Sequence, residues 1–124
     1  MTEHRKRVGM HGEEIATAYL IDKGYKILER NYSSKLGEID IIAKENGCLA
    51  FVEVKTRMGN SFGLPKDAVT PQKRRKLSML ALEYLKKTKQ LGHSSRFDVV
   101  AVHTRTNDGH TTIELIRNAF DLAY

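Results

Sequence analysis

Asp40, Glu53 and Lys55 stand inside otherwise apolar runs on either side of an Asn46-Gly47 pair. Asn-Gly signals a tight β-hairpin, because both residues tolerate the positive φ of a type I′ turn. With Asn46 and Gly47 as the loop residues, Glu45 pairs with Cys48, and counting outward sets Asp40 directly opposite Glu53. A four-residue loop keeps that pairing and a three-residue loop breaks it. Opposed residues share a sheet face with Cβ atoms roughly 4.5–5.5 Å apart, where two carboxylates repel. A divalent cation between them reverses the sign, since hard oxygen ligands suit Mg²⁺ or Mn²⁺. Lys55 projects from the same face about 6.6 Å further along the strand. An ammonium there can orient a water nucleophile or offset charge developing on a phosphate.

The same residues admit a structural reading. In this register Glu38 lies opposite Lys55, so it is either an accessory acid near the metal or, the favoured role, the partner of the lysine in a surface ion bridge of small energetic worth that would also help position it. Asp40 and Glu53 would then be solvated on an open sheet face. Under either reading Ile39, Ile41, Val52 and Val54 point to the opposite face and bury.

Asp40 followed by Glu53-Val54-Lys55 resembles the D…(E/D)-x-K signature of the restriction-endonuclease-like nuclease superfamily. The words Gly-Glu-Ile-Asp at 37–40, Phe-Val-Glu-Val-Lys-Thr-Arg at 51–57, Ala-Val-Thr-Pro at 68–71, Arg-Phe-Asp-Val-Val at 96–100 and Asn-Ala-Phe-Asp at 118–121 together resemble the YraN-like family of small bacterial proteins. That resemblance runs over nearly the whole chain. It implies one restriction-endonuclease-like α/β domain over residues 1–124, ordered α-β-β-β-α-β-β, with a central mixed sheet flanked by helices and the site at one edge. The chemistry it implies is that of a Mg²⁺- or Mn²⁺-dependent nuclease or resolvase-like phosphodiesterase. Asp40, Glu53 and the Val54 backbone carbonyl would bind metal, and Lys55 would position water. A more distant similarity is to archaeal Holliday-junction resolvases, which share the order helix glutamate, strand aspartate, Glu-x-Lys. Their pattern places a site glutamate about three turns before the glycine ending the first helix. Glu13 matches that spacing to Gly24 and would complete the metal shell, with Glu14 as the fallback. The ordinary reading of both is favourable interaction of first-turn acids with the helix dipole.

The elements needed to position these groups are visible as periodicities. Ile15, Ala16, Tyr19 and Leu20 form the stripe of a first helix from about Gly9 to Lys23, closed by Gly24. Residues 25–32 alternate as a strand, and the hairpin supplies two more. Thr70-Pro71 starts a second helix as cap and first-turn residue, with Leu77, Leu80, Ala81, Tyr84 and Leu85 marking its buried stripe to about Lys89. Strands at 96–103 and 111–117 follow, joined across Asn107-Asp108-Gly109. Pattern alone supports a two- or three-layer mixed α/β domain.

Twenty-one basic against fifteen acidic residues give a net charge of +6, which points to an anionic partner, nucleic acid being the usual one. DNA is the expected form, and junction resolution would require two sites and hence a homodimer. Lys73, Arg74, Arg75 and Lys76 fan around the second helix, so about two of the four can face the site, where with Arg57 they would contact phosphates without reading sequence. The glycine-containing stretch Met58–Pro65 is a candidate substrate-contacting loop. Gln72 reads as a helix-surface residue, and Arg96 as the structural partner of Asp98. The one cysteine, Cys48, excludes an internal disulfide, and His11 and His93 read as solvent-facing rather than ligands. No apolar run approaches a membrane span, and the basic start leads into no signal-like core, so the expected location is the cytoplasm. Two rivals stand beside the enzyme: a non-catalytic nucleic-acid-binding protein that keeps the fold, and a scaffold acting through protein contacts alone.

Overall fold

The computed structural model describes residues 3–59 and 69–121, with side chains from residue 11 onward. The elements run α1 (Glu3–Asp22), β1 (Lys26–Ser34), β2 (Gly37–Glu45), β3 (Cys48–Met58), α2 (Pro71–Lys87), β4 (Ser95–Thr104) and β5 (Thr111–Phe120). The order is the expected α-β-β-β-α-β-β. The strands form one sheet in the sequence β1-β2-β3-β4-β5. Only β3 and β4 are parallel, and the other neighbours are antiparallel. Parallel neighbours need a crossover, and α2 provides it.

The two sheet faces carry separate cores. Leu49, Phe51 and Phe97 pack with Leu77, Leu80, Ala81 and Tyr84 of α2. Ala50, Val52, Val100 and Val102 pack with Ala16 and Leu20 of α1 on the other face. Consecutive residues of β3 thus bury alternately under one helix and the other, as a strand covered on both faces requires. The molecule is three-layered, with α1 lying chiefly over β3 and α2 chiefly over β2.

Local sequence explains the boundaries. Asn46 (φ +50°) and Gly47 (φ +77°) occupy the turn, and the first pair beyond it is Glu45 with Cys48. Thr70 caps α2 by accepting from the Lys73 amide at 3.2 Å, with Pro71 at the first helical position. Gly12 lets α1 approach the sheet closely, since a Cβ there would lie 2.1 Å from Thr56 Oγ1.

Three expectations are corrected. First, α1 begins at Glu3 instead of Gly9, because Arg5, Lys6 and Arg7 are good helix formers that extend it backward. Glu13 and Glu14 are therefore mid-helix, and the dipole reading no longer accounts for them. Second, Ile39 does not share a face with Ile41. Ile39 packs on the α2 side and Ile41 on the α1 side, although residues two apart in a regular strand share a face. The break falls at Asp40, beside Asn31 of β1, whose φ is +54°. Third, the candidate acids lie on β2 and β3, the second and third strands of the five, so the site is not at an edge of the sheet. Most of the Met58–Pro65 loop, residues 60–65, falls outside the described residues.

Candidate functional site

The β2–β3 ladder runs from the turn as far as Ile41 opposite Val52. Asp40 and Glu53 are the next positions, just past the last backbone pair. Asp40 Oδ2 accepts the Val54 amide at 2.8 Å, so a side chain takes over from the departing strand. The two acids are on neighbouring strands at the point of divergence, in the register the turn implied. Val54 takes part through its N–H, while its side chain packs on the α1-side core.

Glu53 is 5% exposed, and a buried carboxylate requires a partner. It has two. Lys73 Nζ, reaching down from α2, lies 2.9 Å from Glu53 Oε1, and Lys55 Nζ lies 3.9 Å from the same oxygen. The bare repulsion expected between facing acids is thus partly neutralised by a lysine of α2. Consecutive basic residues gave no sign of which one would point inward.

On the other side of Asp40, carboxylate oxygens of Glu13, Glu38 and Asp40 all lie within 4.8 Å of one another. Asn31 ties this group together. Oriented by its partners, its amide nitrogen donates to Glu13 Oε2 at 3.0 Å and Glu38 Oε1 at 3.1 Å. Glu13 is half-buried against the site, whereas Glu14 is exposed, so the helix carboxylate is Glu13. With the ladder ended, the extrapolated register no longer holds, and Glu38 joins the acids instead of lying opposite Lys55. Of the two roles the sequence left open for Glu38, its place is that of the accessory acid, not the favoured one of lysine partner.

The electrostatics follow from this crowding. Burial, then the Glu53 charge, push the Asp40 carboxyl up to about 7, against the lowering effect of the Val54 hydrogen bond. Glu13 is raised as well, by burial and then by Glu38, with Arg30 and Asn31 opposing. For Lys73, burial opposes the charge, but the bond to Glu53 and the charges of Glu53 and Asp40 outweigh it, and its pKa lies above the ordinary value. A set of oxygens that resists carrying its full negative charge unaided is chemically suited to a hard divalent cation. The donor set present, all carboxylate, fits Mg²⁺ or Mn²⁺.

A cleft of about 590 Å³ opens beside Asp40, between the start of β2 and α2, lined by Glu38, Thr70, Gln72, Lys73, Lys76 and Leu77 among others. Of the four consecutive basic residues at the start of α2, Lys73 and Lys76 border this cleft. Arg74 turns away: its Nε donates to the Val69 carbonyl at 2.9 Å, and its guanidinium covers the Phe120 ring. Arg75 is exposed. Arg57 falls on the same face of β3 as Glu53 and Lys55 by strand parity and is half-buried.

A second charged cluster sits at the turn end of the sheet. Asp98, fully buried, accepts from Arg96 Nε at 2.9 Å, Tyr25 Oη at 2.7 Å and the Asn118 amide at 2.9 Å. Glu45 accepts two bonds from Arg117 and one from Arg96. Arg96 is the expected partner of Asp98, while Tyr25, just before β1, Glu45 of β2 and Arg117 of β5 join from other segments. Every acceptor here is occupied, and the cluster ties β1, β2, β4 and β5 together.

A family model described as "Uncharacterised protein family UPF0102" matches residues 12–102. The chain is 50% identical over 121 residues to a UPF0102 protein of Desulfosudis oleivorans, covering 98% of this chain and 95% of that one. It is 50% identical over 118 residues to one from Trichlorobacter lovleyi (94% and 92% covered) and 47% identical over 118 residues to one from Syntrophus aciditrophicus (95% and 91%).

Proposed function

The chain belongs to the UPF0102 family, the YraN-like family its motifs resemble, and from that premise and the geometry of its acids we propose that it is a divalent-metal-dependent nuclease acting on nucleic acid, with DNA as the expected substrate. The observation that carries the proposal is the placement of Asp40. It stands where two strands part, with Glu53 beside it, Glu13 and Glu38 on its other side, and Lys55 further along the same strand face.

Asp40, Glu53, Glu13 and Glu38 would hold the ion. Bound there, Mg²⁺ or Mn²⁺ supplies Lewis acidity toward a phosphate oxygen and an acidified water. Lys55, with its ammonium near Glu53, orients the attacking water or offsets charge growing on the phosphate. Lys76 and Arg75 on α2 contact flanking phosphates, which gives salt-sensitive affinity without sequence reading. A junction-resolving activity would pair two such sites in a homodimer.

One observation favours a second reading, a nucleic-acid-binding protein without catalysis. Glu53 already has Lys73, and Asp40 already has the Val54 amide, so both acids have partners in the absence of an ion. The test is cleavage of labelled duplex, single-stranded and four-way-junction DNA, and of RNA, with Mg²⁺ or Mn²⁺. Wild-type protein is expected to cut at least one, Glu53→Ala none, and Lys55→Ala none while still binding metal. Wild-type protein that binds these substrates and cuts none with either ion establishes the second reading.

A further inference from the structure

The contact between Lys73 and Glu53 has an unusual composition for a metal-ligating carboxylate. Lys73 Nζ sits at hydrogen-bonding distance, 2.9 Å, from Glu53 Oε1, whereas Lys55 Nζ stands off at 3.9 Å. An ammonium at 2.9 Å takes one acceptor position on Oε1 and neutralises the charge that would draw an ion. Lys55 at 3.9 Å takes no such position. The Lys73 side chain is 43% exposed and borders the open cleft together with Lys76 and Thr70, so it has solvent-accessible space into which to swing. Glu53 has no such freedom, being 5% exposed on a central strand.

Resting on the divalent-metal reading of the site, we propose that Lys73 is a placeholder cation: it neutralises Glu53 in the metal-free protein, is displaced when a divalent ion arrives, and then presents its ammonium to the phosphate in the cleft. The exchange is balanced in kind, since a buried carboxylate passes from one cation to another and is never left unpaired. It also couples two events that a nuclease needs together. Metal loading releases a positive charge next to the place where the substrate phosphate must sit, so the cleft becomes more basic as the ion binds. A lysine that only buttressed Glu53 would make no such link, because its removal would weaken the ligand and gain nothing.

The two roles give opposite signs in a metal titration. Mn²⁺ binding is measured by calorimetry on wild type, Lys73→Met and Lys73→Arg, with melting curves to confirm folding. As a displaced competitor of matching charge sign at a half-exposed position, Lys73 lowers metal affinity by about tenfold after solvent screening. Lys73→Met is therefore expected to bind Mn²⁺ about tenfold more tightly, and Lys73→Arg close to wild type. In parallel, the acetylation rate of Lys73 in wild-type protein is measured by mass spectrometry with and without Mg²⁺, using exposed Lys86 as the internal standard. Displacement is expected to raise it several-fold. Equal or weaker Mn²⁺ affinity in Lys73→Met, with wild type binding normally, overturns the placeholder role and leaves the metal site standing. Unchanged Lys73 labelling on Mg²⁺ binding does the same, and decides alone if Lys73→Met does not fold. If neither wild type nor Lys73→Met takes up a divalent ion, the metal reading fails and the placeholder role falls with it.

Discussion

Replacing Asp40 by Asn removes the charge and turns one carboxylate oxygen into an amide donor while keeping the shape. The amide oxygen can still accept the Val54 N–H that Asp40 Oδ2 holds at 2.8 Å, so the junction between β2 and β3 keeps its hydrogen bond. The carboxyl is raised from 3.8 to about 7, by burial first and by Glu53 second. At about 1.4 kcal/mol for each tenfold change in proton affinity, ionising it in the folded protein costs at most about 4 kcal/mol. The folded state prefers the protonated form, so this penalty is absent below pH 3.8, grows as pH rises, and is fully present above about 7. Asn loses the attraction of Lys73 along with the repulsion, and the site is partly solvated, which brings the expected gain to about 1–2 kcal/mol. In a domain of this size that is about 5–10 °C in Tm. Thermal melts in EDTA should therefore show Asp40→Asn more stable than wild type at pH 8, with a smaller difference at pH 5 and none near pH 4. A variant less stable than wild type at pH 8, or a gain independent of pH, would refute the claim that Asp40 is a strained carboxylate.

Gly12→Ala should destabilise by about 1–3 kcal/mol in urea melts, since overpacking against Thr56 outweighs the better helix propensity, and it should also weaken Mn²⁺ binding by displacing Glu13. The Arg117 hydrogen bonds hold the Glu45 carboxyl down at about 2, so its stabilising effect is complete above 4.5 and fades as pH falls toward 2. Melts of Glu45→Gln against wild type should accordingly differ most above pH 5, less at pH 3, and converge only near pH 2. DNA binding should fall steeply with salt, and Arg75→Ala and Lys76→Ala should each reduce the slope of log K against log salt by about 1; unchanged slopes would place the phosphate contacts elsewhere.

How much of this was legible depended on whether the signal was local. The Asn46-Gly47 turn fixed a register by backbone geometry alone, and Asp40 and Glu53 follow from it by counting. Counting failed one pair further on. The ladder stops where Asp40 takes the Val54 amide, so Glu38 could not be paired by extrapolation, and Ile39 changed faces for the same reason. Glu13 was reachable by its spacing to Gly24, but separating it from Glu14 needed the pitch of α1 over the sheet, which Gly12 sets through contact with a residue on β3. Lys73 illustrates the limit most clearly. Four consecutive basic residues carry no direction, and only the docking of Leu77 and Leu80 decides which of them faces Glu53. The Arg96–Asp98 pair could be read because both lie on one strand two residues apart. Tyr25 and Arg117, 71 and 21 residues from Arg96 in sequence, could not.

The central claim is that Asp40 and its neighbouring carboxylates form a divalent-metal site, and anomalous diffraction from crystals soaked in Mn²⁺ tests it most directly. A manganese peak bonded to Asp40 and Glu53, with Glu13 or Glu38 in reach and Lys73 swung away from Glu53, is the predicted result. A saturating soak that leaves no anomalous density there, with Lys73 still on Glu53, would contradict it.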